Sequence, residues 1–492
     1  MLDRKQMVAE IAEEVISRLL THLDAPSSSG AAARAARAGG APARKTPAPT
    51  GHGVFQTVDE AVAAAAAAQV RVAEMGLEER GRMIAVIRRI CDEQAEELGR
   101  MELDETRIGR LEHKIGKLKA MRYVLGVEAM QSGARSDRTG LCIIERAPWG
   151  VIGMVLPATH SVPTMVSNAV NVLAAGNTAV FNPHPAGARV AAYALQLFNR
   201  TIEAEIGVAN VITTVAEPSI ETAEQIFRHP DVALLCVTGG PAVVKAAAQS
   251  GKRVIAGGPG NPPVVVDEDA DLDLAARSII EGAAFDNNLL CIGEKEVFVV
   301  ESVADDFMKA MSRAGAVLLN AQAIKRLTEA AFTFDGPGKG CGRAHVKRDL
   351  LGQDAGRLAE AAGVKVPAGT VMLFGETAAS HPFVQEEQMM PFLPIVRVPD
   401  FETGVAGALQ AEHGYRHTAV VHTRNVDHAT HMARALNTTL FVQNAPSTAA
   451  LGVNGPGYFS HTIATPTGEG ITTPLTFTRE RQFAIGNAMR FI

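Results

Sequence analysis

Paired cysteine is missing from this chain. Its five cysteines (Cys91, Cys142, Cys236, Cys291 and Cys341) are scattered over 492 residues. They are odd in number and form neither a CxxC pair nor a metal-ligand spacing, which argues against a disulfide framework and a zinc site and for a reducing compartment. Aromatic residues are few, 5% with a single Trp, and the formal charge is only -6. No Lys/Arg cluster is interleaved with aromatics, so nothing recommends a nucleic-acid partner. No apolar run reaches the roughly 18 to 20 residues that span a bilayer. A secretory signal is also absent, because Glu10, Glu13, Glu14 and Arg18 interrupt the apolar residues near the N-terminus. A cytoplasmic protein without membrane association is expected.

What is present is apolar residue at 47% and charge at 20% in a chain long enough for two or three packed units. Val8, Ile11, Ala12, Val15, Ile16, Leu19 and Leu20 repeat at helical spacing, which predicts an amphipathic helix over 1–20. Residues 21–50, rich in Ala, Ser, Gly and Pro, have the composition of a flexible linker. Thr57-Val58-Asp59-Glu60 has the form of a capping box and opens an Ala-rich helix to about Ala73, with a second helix near 77–103. From Cys142 onward, β-branched runs at 151–156, 178–181, 211–215, 233–238 and 264–266 alternate with helical patterns. A second such series begins near Leu272, with strands near 296–300, 371–374, 395–398, 419–422 and 440–443. Strands alternating with helices imply doubly wound, mostly parallel sheets.

Cys291 ends the stretch Phe285-Asp286-Asn287-Asn288-Leu289-Leu290-Cys291-Ile292-Gly293-Glu294-Lys295, before the apolar run Val297-Phe298-Val299-Val300. A thiol closing a polar loop at the mouth of a strand is a candidate nucleophile; a buried structural cysteine is the alternative. The stretch resembles the active-site segment of the aldehyde dehydrogenase superfamily, and in particular its CoA-acylating branch, which includes the propionaldehyde and acetaldehyde dehydrogenases of bacterial microcompartments. Other blocks agree in order and spacing: Ala147-Pro148-Trp149-Gly150, Ala174-Ala175-Gly176-Asn177-Thr178, Asn182-Pro183-His184-Pro185, Val237-Thr238-Gly239-Gly240, Gly257-Gly258-Pro259-Gly260-Asn261 and His381-Pro382-Phe383-Val384-Gln385-Glu386-Glu387. Together they span roughly residues 55 to 480.

The resemblance implies an aldehyde dehydrogenase-like α/β fold with two doubly wound domains and an oligomerisation arm. A cofactor-binding Rossmann-like domain would cover 51–265, with an oligomerisation hairpin near 130–147. The catalytic domain would cover 266–460 and the arm 461–492. It implies NAD as cofactor and coenzyme A as co-substrate. Pro157, Pro183, His184, Thr238, Gly239, Gly240, Gly257 and Gly258 would line the cofactor's path, and Glu387 would hold the nicotinamide ribose hydroxyls. The usual loop's second glycine aligns near Val244, a departure at the pyrophosphate contact. Catalysis would rest on Cys291, with Thr159 or His160 beside the Cys291 amide as oxyanion donors. The branch usually reads Thr-Asn-Pro where this chain has Thr159-His160-Ser161, so an amide is replaced by an imidazole that would change charge with pH.

Hydrolytic relatives carry a glutamate near Gly257 as the base that activates water. Its absence favours a thiolate such as CoA as the acceptor of the acyl group. The expected activity is NAD-dependent oxidation of a short aldehyde to its acyl-CoA. A hydrolytic enzyme that makes the free acid, or a catalytically decayed microcompartment protein, are the alternatives. The helix, linker and enzyme order is similar to encapsulation peptides, so shell proteins are expected partners of 1–20, within a bacterial microcompartment. The superfamily also implies a homo-oligomer, dimer or tetramer. Two other stretches are set aside: 267–273 lacks the glycine and terminal glutamate of a calcium loop, and 336–343 reads as a surface loop.

Overall fold

The computed structural model describes residues 48–335, 344–453, 455 and 457–489. The predicted helix 1–20, most of the linker, and the segment 336–343 with Cys341 lie outside the described residues.

The described chain begins with β1 (Val54–Phe55) and four helices, α1 (Val58–Glu74), α2 (Leu77–Glu93), α3 (Ala95–Thr106) and α4 (Leu111–Lys119). At the start of α1 the Thr57 hydroxyl accepts from the Glu60 N–H, and the Glu60 carboxylate accepts in return from the Thr57 N–H. Two otherwise orphaned helix-end donors are thereby satisfied. Val58, Ala61, Val62, Ala65, Ala68 and Val72 form its buried face, so the alanine run is packed helix. The single helix expected over 77–103 is instead two, broken at Gln94 with φ of -106° and ψ of 13°. The break redirects α3 onto α4, where a side chain on Gly99 would stand 3.1 Å from Ile115.

A hairpin of β2 (Gly133–Asp137) and β3 (Gly140–Pro148) leads to β4 (Val151–Leu156), α5 (Ser161–Ala174), β5 (Thr178–Pro183), α6 (Ala188–Ile206), β6 (Ile212–Val215), α7 (Ile220–Arg228), β7 (Val232–Thr238), α8 (Pro241–Ala248) and β8 (Arg253–Gly257). These strands form a parallel six-stranded sheet in the order β1-β6-β5-β4-β7-β8. The order reverses direction between β4 and β7, which makes a crevice beyond their carboxyl ends. β4 is paired on both edges and buried at every residue, hence its continuous apolar sequence. Gly153 is required there, since a Cβ would lie 2.6 Å from the Ile226 side chain.

The second sheet has seven strands in the order β11-β14-β15-β10-β9-β16-β17. Their ranges are β9 (Pro263–Val266), β10 (Glu296–Val300), β11 (Val317–Leu318), β14 (Leu373–Glu376), β15 (Phe392–Val398), β16 (Thr418–His422) and β17 (Leu440–Gln443). Two minor pairs complete the numbering, β12 (Phe332–Phe334) with β13 (Ala344–Val346), and β18 (Ile463–Ala464) with β19 (Gly470–Ile471). The boundary expected at 265/266 divides β9, which belongs to this sheet because it pairs with β10 and β16. The change of sheet therefore falls between Gly257 and Pro263. β20 (Thr478–Gly486) runs antiparallel along all of β3 and makes a three-stranded sheet with the hairpin. The arm expected over 461–492 thus begins as a strand only at Thr478. Its surface is largely open, with Phe483 64% exposed.

Candidate active site

The first sheet gathers the expected cofactor residues on one edge. Pro157 follows the end of β4, Pro183 ends β5, Thr238 ends β7 and Gly257 ends β8. Gly239 and Gly240 join β7 to α8, whose first residue is Pro241, and Gly240 has open space where a Cβ would point. Small residues between a strand end and a helix start let a phosphate approach backbone N–H groups, so this edge fits a dinucleotide. His184 caps the short turn after β5, its Nδ1 accepting from the Ala186 N–H at 3.0 Å. Gly258 lies against Pro466.

Cys291 sits between α9 (Leu272–Ala284) and β10, on a loop with unusual backbone. Asp286, Asn287 and Asn288 have φ of 50°, 57° and 66°, three successive non-glycine residues in the left-handed region. Each such residue costs on the order of 1–3 kcal/mol unless its surroundings hold it, with Asp and Asn tolerating it best. The holders are visible. The Asn287 amide donates to the Gly352 carbonyl (3.0 Å) and to Asp354 (2.9 Å). The Asn288 amide donates to the Ala283 and Glu294 carbonyls, both at 2.9 Å. Lys295 lies beneath the loop: its ammonium donates to the carbonyl and side-chain oxygen of Asn288, each at 2.7 Å, and to the Leu290 carbonyl at 3.1 Å. On the other side Gly260 passes so near that a Cβ would meet the Cys291 carbonyl at 2.6 Å and the His417 ring at 2.9 Å.

Charges set the state of the thiol. Burial first, then the Glu387 carboxylate, pushes Cys291 up to about 12, while the Lys295 ammonium and the N–H groups of Cys291 and Ile292 pull it down. Burial pushes Glu387 up to about 7, opposed by Lys295 and the Gly260 N–H. Glu387, expected as a ribose ligand, thus also acts electrostatically on the thiol. Both residues keep partial exposure. Thr159 is half-buried just before α5, and its carbonyl accepts from Lys114 at 3.2 Å.

His160 differs from expectation. It is 7% exposed, and burial first, then Lys117 and other neighbouring groups, hold it well below the usual imidazole range. An imidazole there stays neutral across physiological pH, contrary to the pH-dependent charge that the sequence suggested. Its Nδ1 is 3.0 Å from the Lys117 ammonium, and the Leu289 backbone and the His461 ring also act on it. Both sides of the ring are therefore engaged within the protein.

Sequence reasoning missed Lys117, Asp286 and Lys295. Lys295 had a signal, since Glu294-Lys295-Glu296 places three charges at the mouth of a buried strand. Lys117 had none, because its partner Asp286 is 169 positions away. Among the described residues no group of three or more His, Cys, Asp or Glu could hold a metal ion, and no helix is long and apolar enough to cross a membrane. The acidic stretch 267–273 is a strand-to-helix turn in which the Asp271 carboxylate caps α9 by accepting from the Leu274 N–H.

Residues 44–324 match the Aldehyde dehydrogenase family. The chain is 45% identical over 451 residues to the acetylating acetaldehyde dehydrogenase EutE of Salmonella typhimurium, covering 91% of this chain and 95% of that protein. A propionaldehyde dehydrogenase from the Clostridium phytofermentans fucose utilisation bacterial microcompartment superposes with a TM-score of 0.86 at 39% identity, covering 89% of this chain and 99% of that one. The Rhodopseudomonas palustris propionaldehyde dehydrogenase, solved with bound CoA and an acylated cysteine, gives 0.85 at 39% identity, with coverage of 89% and 99%.

Proposed function

The chain belongs to the aldehyde dehydrogenase family, and on that premise we propose that it oxidises a short aldehyde to its acyl-CoA, with NAD as cofactor and coenzyme A as co-substrate. The observation that carries the acylating outcome is Gly257, at the end of β8 where hydrolytic relatives have their water-activating carboxylate. The acetylating EutE relative and the Rhodopseudomonas enzyme with CoA and an acylated cysteine support the same reading. NAD, when bound along the crevice edge, supplies the hydride acceptor.

Cys291 is the nucleophile: its thiolate adds to the aldehyde carbonyl and the carbonyl oxygen becomes an oxyanion. The Cys291 N–H, with Thr159 as second donor, stabilises that charge; one such donor is worth roughly 3 kcal/mol. Glu387, lifted to about 7 beside the thiol, is placed to take the thiol proton and to accept from ribose hydroxyls. Loss of hydride leaves an acyl thioester on Cys291. A CoA thiolate then attacks the acyl carbon, the acyl-CoA leaves, and Cys291 regains its thiolate. In sum, aldehyde, NAD and CoA give acyl-CoA, NADH and a proton.

Residues 1–20 are proposed to bind microcompartment shell proteins, supported by their amphipathic pattern and by the microcompartment source of the Clostridium enzyme. Deleting them should abolish co-purification with shells while leaving turnover intact. For the chemistry, intact-protein mass spectrometry after mixing with propanal and NAD should reveal one acyl adduct that CoA discharges. Cys291→Ala should lose both adduct and turnover. An adduct that persists in Cys291→Ala would place the nucleophile elsewhere.

A further inference from the structure

Behind the nucleophile loop lies a cluster of buried charges that the chemistry above does not use. Lys114 and Lys117 of α4 face Asp286 and Glu102 of α3, and all four are at most 2% exposed. Two positive and two negative groups balance in sum. Lys114 lies 3.6 Å from both carboxylates, Asp286 Oδ2 and Glu102 Oε1, and Lys117 donates to Asp286 Oδ2.

We propose that Lys117 is a positioning residue for the nucleophile: through Asp286 and His160 it holds the left-handed run 286–288 in place and so fixes where the Cys291 thiol and N–H stand. Asp286 is the first residue of that run, and it is gripped on every polar atom of its side chain. Its Oδ1 accepts from the Arg110 N–H at 2.8 Å, and its Oδ2 accepts from Lys117. Its own N–H donates to His113 Nδ1 at 2.8 Å. Gly109 makes room, since a Cβ there would stand 2.3 Å from the carboxylate. These contacts oppose the return of Asp286 to the ordinary negative-φ regions, which would swing the residues that follow.

The second contact reaches the far end of the run. A lysine ammonium only donates, so at 3.0 Å His160 Nδ1 must accept from Lys117. The ring proton is therefore on Nε2, and the Leu289 backbone, two residues before Cys291, is among the groups that act on the ring. His461, whose ring centroid lies 5.6 Å from that of His160, backs the imidazole from the other side. Burial and Lys117 keep His160 neutral, so this tautomer persists with pH. His160 is thus a strut between α4 and the loop.

This inference rests on Cys291 being the nucleophile, and its test separates the two. The full-length Lys117→Met/Asp286→Asn double variant removes both charges together, so neither is left buried alone; Lys117→Met and Lys117→Arg accompany it. Three quantities are read: the alkylation rate of Cys291 by iodoacetamide across pH, kcat, and KM for NAD. For the folded double variant the account expects kcat to fall about 100-fold, as misplacement by about an ångström does. The alkylation pH profile should shift upward as the thiolate loses its aligned N–H groups, with KM for NAD within about threefold of wild type. A folded double variant with wild-type kcat and alkylation profile would overturn the clamp. If wild-type Cys291 were not the residue alkylated on inactivation, the nucleophile assignment itself would be overturned. A role in stability alone would lower Tm without moving the alkylation profile.

Discussion

At Cys291 the thiol is caught between two charges of opposite sign, and each can be removed. At pH 8 a Glu387 carboxylate lifted to about 7 is mostly ionised, and its negative charge raises the thiol. Glu387→Gln removes that charge. The expected result is several-fold faster alkylation of Cys291 at pH 8, alongside slower turnover if Glu387 takes the thiol proton. Unchanged alkylation would show that Glu387 does not act on the thiol, and slower alkylation would show that its part as proton acceptor outweighs its charge. Cys291 and the residues of the strand-end edge could be singled out because each lies in a contiguous block with turn chemistry of its own, such as Val237-Thr238-Gly239-Gly240. His160 was legible as an oddity but not as to charge state, since that depends first on its burial and then on Lys117 and His461, which only the fold brings to it.

Among elements, β10 carries the clearest tension. Glu296 at its start is fully buried, and neither carboxylate oxygen has a hydrogen-bond partner. Burial holds it well above its usual 4.5. Well below pH 4.5, the group is largely neutral in folded and unfolded chains alike, so its burial costs little. As pH rises from there toward the folded-state value, the unfolded chain ionises first and stability is lost. Glu296→Gln should therefore raise Tm at pH 8, by about 1 °C per kcal/mol relieved in a chain of this length, and change it much less at pH 5. A Tm difference independent of pH would contradict a protonated Glu296. The strands themselves were readable from their β-branched runs, and α1 from its capping box. The break at Gln94 was not, because the close approach it allows, of Gly99 to Ile115, is made with another helix. The misassigned end of the first domain has a similar cause: β9 reads as one more apolar strand, and only its pairing with β10 and β16 gives it to the second sheet.

For the whole molecule, the three-stranded sheet of β2, β3 and β20 leaves an exposed apolar residue, Phe483, on a long strand. We propose that this sheet joins copies of the chain into a dimer or tetramer. Phe483→Asp should then lower the mass measured by light scattering at a given concentration, with circular dichroism unchanged. A variant of wild-type mass would remove Phe483 from the interface. The cofactor edge and the nucleophile loop come from different sheets. That division was legible in the alternation of the sequence. The buried charges beneath the loop were not, since they come from residues far apart in the chain.

Whether CoA or water takes the acyl group is read most directly from NADH formation from propanal and NAD by the purified protein, with CoA present or omitted. Sustained turnover only with CoA, after at most one equivalent of NADH without it, is the predicted result. Equal sustained turnover without CoA, with propanoate as product, would contradict it and require a water-activating base despite Gly257.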